Sequence, residues 1–149
     1  MKSKLLIALL LAAVSSCAAG SYQRFPMPNA EAPVAQNATR IFVLRLPSAK
    51  GYYRAVHISD DETEIGKLGG DSYICWERAP GASLLTLTVD RVDGLDDSVS
   101  LHVDAGGEAG QASYYAIAVD SAWGRPTVRV LDAVEARASL AELKPSPIE

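Results

Sequence analysis

Apolar and polar side chains alternate position by position along much of this chain, the signature of β-strands with one wet face. In residues 83–90, SLLTLTVD, Leu85, Leu87 and Val89 point one way and Thr86, Thr88 and Asp90 the other. In residues 98–105, SVSLHVDA, Val99, Leu101 and Val103 alternate with Ser98, Ser100, His102 and Asp104. Asp93-Gly94 between them suits a tight turn with positive φ, so the two runs form a hairpin. Residues 41–46, IFVLRL, are apolar on both faces apart from Arg45, which predicts a strand covered on both sides.

Shorter runs complete the set. Residues 53–58 (YRAVHI) and 64–68 (EIGKL) read as strands joined by an acidic tip at Asp60-Asp61-Glu62, and Gly69-Gly70-Asp71 as a turn. Residues 73–78, YICWER, form a strand that enters the Pro80-Gly81 turn. Tyr115, Ile117 and Val119 line one side of SYYAIAV, and Val128 and Val130 begin a last strand. The tail differs. Asp132 followed by Glu135 resembles a capping box, and AVEARASLAEL consists of good helix formers, predicting a short helix that ends before Pro145 and packs Val134 and Leu140. The fold class expected is all-β: a small antiparallel β-sandwich with a short C-terminal helix, the sandwich over residues 39–134 and the helix and tail over 135–149.

The N-terminal pattern has no such alternation. Lys2 and Lys4 precede an apolar run from Leu5 to Val14 and then small residues, the order of a secretory signal peptide over residues 1–16. That run is far short of the roughly 20 residues that span a bilayer. It leads into Val14-Ser15-Ser16-Cys17, which resembles a bacterial lipobox, where cleavage leaves an N-terminal cysteine carrying a thioether-linked diacylglyceryl group. An ordinary signal peptide cut near Ser16-Cys17-Ala18 is the alternative, but it has no use for a cysteine at the cut, so Cys17 is read as the lipidation site. Three fatty-acyl chains of the palmitate type would hold the protein on the lipid bilayer. Ala18 in place of Asp resembles the sorting pattern of outer-membrane lipoproteins, most simply facing the periplasm. Residues 17–38, rich in Ala, Pro and polar side chains, read as the lipidated cysteine and a flexible tether.

Loss of the signal removes Lys2 and Lys4, leaving 12 basic against 18 acidic side chains, a net charge of −6. An acidic chain without a basic cluster is a poor nucleic-acid binder. With Cys17 lipidated, Cys75 has no intramolecular disulfide partner, so the domain rests on its apolar core.

Candidate chemistry is sparse. A nucleophilic Cys75 needs a base, and the histidines are His57 and His102, the latter on a wet face. Alternation puts Tyr73, Cys75 and Glu77 on one face of their strand and Ile74, Trp76 and Arg78 on the other, and a thiol there reads as a small apolar core residue, with an exposed intermolecular disulfide as the alternative. One Cys and two separated His make a thin zinc supply. Asp60-Asp61-Glu62 and Asp93, Asp96 and Asp97 could serve calcium, but neither loop has EF-hand spacing, and acidic turns are ordinarily solvated. GKLGG and AGGEAG lack phosphate-loop patterns, and no Gly-X-Ser-X-Gly elbow is present. Trp123 is the aromatic placed to stack on a sugar or a partner, or to plug the end of a sandwich. No catalytic residue, metal site or cofactor is expected.

One resemblance spans roughly residues 39–143. Ile41-Phe42-Val43-Leu44-Arg45, Ile65-Gly66-Lys67-Leu68, Tyr73, Pro80-Gly81 and Glu108-Ala109-Gly110-Gln111-Ala112-Ser113-Tyr114-Tyr115 resemble the bacterial domain of unknown function 2846, often found on lipoproteins. Ser83 stands where members often carry His, and Gln111 where many carry a basic residue. Because that family has no established activity, the resemblance implies a fold and a location and no mechanism.

The expectation is therefore a non-enzymatic, lipid-anchored accessory or interaction module with an envelope protein partner. The runner-up is a binder of a small envelope ligand, a glycan or peptide, and an enzyme comes third. A flat apolar edge favours the first, and a pocket lined by Trp123, tyrosines and carboxylates the second. A buried Cys75 removes most of the case for the third.

Overall fold

The structure, a computed structural model, describes residues 30–47, 54–90, 98–119 and 125–146. The described elements run β1 (Thr39–Arg45), β2 (Val56–Asp60), β3 (Thr63–Leu68), β4 (Ser72–Arg78), β5 (Gly81–Val89), β6 (Val99–Gly107), β7 (Ala112–Val119), β8 (Pro126–Leu131), α1 (Ala133–Leu140) and β9 (Lys144–Pro145). They form two sheets, one in the order β8-β7-β1-β4-β9 and the other β3-β2-β5-β6. Most pairings are antiparallel; β1 with β7 and β4 with β9 are parallel. The chain is thus the all-β sandwich that its alternation predicts.

The sheets bury their facing side chains against each other. Ile41 and Val43 from β1, Val56 and Ile58 from β2, Leu85, Leu87 and Val89 from β5, Trp76, and Tyr115, Ile117 and Val119 from β7 make one continuous core. β1 is buried at every residue, as its two-faced apolar run requires. Its other face sends Phe42 and Leu44 into a second cluster with Tyr73, Cys75, Ala116, Leu131, Ala136 and Leu143. The five-stranded sheet is therefore covered twice, by the other sheet on one face and by α1 and the tail on the other. Phe42 stacks on Tyr114 within that outer layer, ring centroids 4.9 Å apart.

The helix follows its predicted start, and of its two predicted packing residues Leu140 packs and Val134 does not. Asp132 caps it, its carboxylate accepting from the backbone N–H of Val134 and Glu135 at 2.9 Å each. Glu135 does not return to the cap; its carboxylate takes Arg129 Nη1 at 2.6 Å. Val134 is 78% exposed, and Ala136, fully buried, is the residue that seats the helix, with Leu140 partly buried beside it. A small side chain at the contact lets the helix backbone approach the sheet closely.

Two further differences bear on function. Beyond α1 the tail adds β9 to β4, with Lys144 N donating to Asp71 O at 3.1 Å and Ser146 N to Tyr73 O at 2.8 Å. Residues 30–38, within the predicted tether, lie on the domain. Arg40, only 2% exposed, donates from Nη1 to the carbonyls of Ala30 (2.8 Å) and Ala32 (2.6 Å) and from Nη2 to Glu77 (2.6 Å). Ala30 packs against the second cluster.

Candidate functional site

The acidic tip is engaged in the fold. Asp60, at the end of β2, accepts Trp76 Nε1 at 2.7 Å and Arg78 Nη1 at 2.6 Å, tying β2 to β4 across the sandwich. Asp61 accepts Leu84 N at 2.8 Å and Arg78 Nη2 at 3.0 Å, and the Leu84 amide, followed by Arg78, holds its carboxyl below the usual carboxylate range. Asp61 and Glu62 make the turn with φ of 45° and 67°. Among the described residues, no group of three or more His, Cys, Asp or Glu is placed to hold a metal ion.

Cys75 lies on the outer face of β4, with Tyr73, as the alternation predicts. It is 1% exposed, opposite Phe42 on β1, and burial pushes its thiol up to about 11. A thiol protonated this firmly is a poor nucleophile at neutral pH. The histidines are apart from it, on the outer face of the second sheet: His57 Nε2 lies 2.9 Å from Asp90, and His102 Nδ1 lies 3.0 Å from Thr86 Oγ1, beside a Thr88–Ser100 hydroxyl pair at 2.9 Å. Cys17, Trp123 and the Asp93, Asp96 and Asp97 loop lie outside the described residues.

The edges of the sheets distinguish one side of the molecule. β9 covers the start of β4 and ends in a proline, and Ser146 Oγ reaches across to Lys67 O of β3 at 2.6 Å. The β2–β3 ladder carries a register shift at Ile58/Ser59, and Glu64 and Lys67 stand exposed on β3. β8 opens with Pro126 and carries Arg129. These are the usual guards of a sheet edge: proline, charge, bulge and cover. Among the described residues β6 has no proline, bulge or covering strand, and Asp104 is its one charged side chain. It pairs with β5 in nine consecutive positions without a shift, and it holds no Pro, Lys or Arg.

Register fixes which groups that edge presents. Gly106 turns its N–H and carbonyl away from β5, toward Tyr115 Oη and Ser113 Oγ, the latter at 2.8 Å. With a period of two, the backbone groups of Ser100, His102 and Asp104 point the same way, and among the described residues no strand lies beyond them. Gly106 marks where this edge ends: its φ is 143°, and a Cβ there would strike the Gly81 carbonyl oxygen. Next to the open edge, Leu101, Val103 and Val128 are partly buried against the core and Val130 of β8 is 69% exposed, forming an apolar mouth between the sheets. An open ladder beside an apolar slot is the arrangement that takes an added strand.

A second feature is a cleft of about 470 Å³ between the Gly69–Ser72 turn and the tail, lined also by Pro47, Glu142 and Lys144. Asp71, at φ 51°, holds Oδ1 buried without a hydrogen-bond partner among the described residues, and its charge acts on Arg45, whose buried guanidinium donates to the carbonyls of Arg54 and Leu68. Burial lowers the Arg45 pKa and Asp71 opposes that shift. Among the described residues, the cleft has carboxylates but no tyrosine in its lining. The Gly69-Gly70-Asp71 pattern marks Asp71 only as a turn residue; its buried oxygen has no sequence signal.

No family model, no curated protein and no solved structure matches this chain.

Proposed function

We propose that this protein is a lipid-anchored, non-enzymatic interaction module of the bacterial cell envelope, held on the outer membrane through acylated Cys17 and facing the periplasm. The observation that carries the interaction reading is the unpaired β6 edge, free of proline and bulge, beside its apolar mouth. Strand addition there uses backbone hydrogen bonds for affinity and the mouth for alternate side chains. The reading without catalysis is supported by the use of the chain's buried charges: Asp60, Arg78, Arg40 and Glu77 bind one another or backbone, and Cys75 is sealed. The resemblance to the domain of unknown function 2846 agrees with an envelope location and supplies no activity.

The test is purification of the full chain from envelopes in gentle detergent, beside a His102→Pro variant. Proline at His102 removes an outward N–H and leaves the β5 ladder intact, so the fold should survive. A polypeptide held by the wild type and lost from the variant supports the reading; equal recovery overturns it. Cys17→Ala should yield unprocessed precursor without lipid, and normal processing and acylation of that variant would refute the anchor.

The Asp71 cleft favours a second reading, a binder of a small envelope glycan or peptide that donates a hydrogen bond to the buried oxygen. Thermal-shift screening against such compounds, repeated on Asp71→Asn, tests it: stabilisation of the wild type alone supports it, and none in either refutes it.

A further inference from the structure

The strand that best fits the open edge of β6 is β6 itself. Resting on the interaction reading above, we infer that two copies of this chain join β6 to β6 antiparallel, across a two-fold axis at His102. The edge offers the backbone groups of Ser100, His102 and Asp104, because those of Gly106 are taken by Ser113 and Tyr115. The register centred on His102 is the one that pairs all three open residues within β6 itself. Setting His102 opposite its own copy pairs Ser100 with Asp104 on both sides and satisfies all three residues, with about six inter-chain hydrogen bonds. Centring the axis one residue later, on Val103, sets Ser100 opposite the occupied Gly106 and loses a third of them.

Both faces of that ladder are self-complementary. On the wet face the Ser100 hydroxyl meets the Asp104 carboxylate of the other copy, and each His102 has the other copy's Asp104 diagonally beside it, so imidazole and carboxylate interleave. Thr86, which holds His102 from β5, keeps its place. On the inner face Leu101 meets Val103 of the other copy at the mouth where Leu101, Val103, Val128 and Val130 are incompletely covered. β6 thus has the alternation that its own slot requires. The pairing also closes, since each copy contributes its one edge without proline, bulge or cover among the described residues and the far side of the second sheet is guarded at β3. A two-fold, isologous contact gives a dimer and not a filament.

The experiment is oxidative cross-linking of the full chain in intact envelopes. The register sets the two His102 Cα atoms about 5.5 Å apart, inside the roughly 4.4–6.8 Å window of a disulfide. His102→Cys should therefore form a covalent dimer, with at least tenfold more product than Ser100→Cys, whose copies lie offset by four residues. The double variant Ser100→Cys/Asp104→Cys should restore the cross-link. Wild type reports any background from Cys17 or Cys75. Light scattering in detergent should give twice the chain mass for wild type and a monomer for His102→Pro. Equal cross-linking at 100 and 102, or a monomeric wild type, overturns the dimer. If the wild type is monomeric yet His102→Pro sheds a different polypeptide, the self-pairing fails while the interaction reading stands. If nothing is shed either, both fail.

Discussion

The two long sides of this sandwich are finished differently. On the side of β3 and β4, the tail lays Lys144 and Pro145 along one sheet and hooks Ser146 onto the other, while Asp60, Trp76 and Arg78 tie the sheets together beneath. On the side of β6 and β8, the sheets are hydrogen-bonded to each other at the Gly106 end and packed through Leu101, Val103 and Val128, and the outer edge of β6 carries no proline and a single charge, Asp104. Edge pairing is the ordinary hazard of β proteins, and guarding one side while leaving the other open separates a surface kept inert from one kept available.

Breaking the closed side should have the largest effect. Asp60→Ala leaves the buried Trp76 indole N–H without its acceptor and takes one of two carboxylates from Arg78, which keeps Asp61, an expected loss of about 2–4 kcal/mol of stability by urea unfolding. Cys75, on the same strand, sharpens the picture through pH. Its folded pKa, about 11, lies above the ordinary 9.0, so the native state keeps its proton after the unfolded chain has lost it. Stability should accordingly fall as pH rises from about 9 through about 11, by roughly 2–3 kcal/mol in all. Cys75→Ala should remove that slope and cost only about 1 kcal/mol at pH 7, read from the same melts.

Removing the guard alone is a milder change. A chain ending at Leu143 loses the hydrogen bonds of Lys144 and Ser146, worth about 1–3 kcal/mol together. It should also gain species larger than a dimer in sedimentation, because a second edge opens; an unchanged size distribution would show that the tail is not a guard. The smallest effect belongs to the open side. Val130→Ser should shift stability by less than about 0.5 kcal/mol, since the side chain is already exposed. It should nonetheless lower the yield of the His102→Cys cross-link; an unaltered yield would remove Val130 from the contact.

The fold was legible where periodicity carries it. β5 and β6 announce themselves by alternation and β1 by an apolar run on both faces. What alternation does not carry is neighbourhood: β5 and β6 read alike, yet Leu85, Leu87 and Val89 are fully buried at a sheet interior while Val99, Leu101 and Val103 stay half-buried at an edge. The outer layer was less visible still. α1 is seated by Ala136, whose side chain adds little to an apolar pattern, and β9 is two residues that include a proline. Nothing in the pattern marks Arg40 as buried, because the carbonyls that hold it belong to a stretch with the composition of a linker.

That arginine also fixes how the domain is leashed. With residues 30–32 clasped to β1, the chain between the proposed anchor at Cys17 and the clasp is roughly a dozen residues and could reach at most about 40 Å, where a tether running to Ala38 could reach about 75 Å. With an anchor at Cys17, a pull from the membrane would arrive through Arg40 at β1, the strand bonded on both flanks, so the load would fall on the best-buried part of the molecule and leave the open edge unloaded.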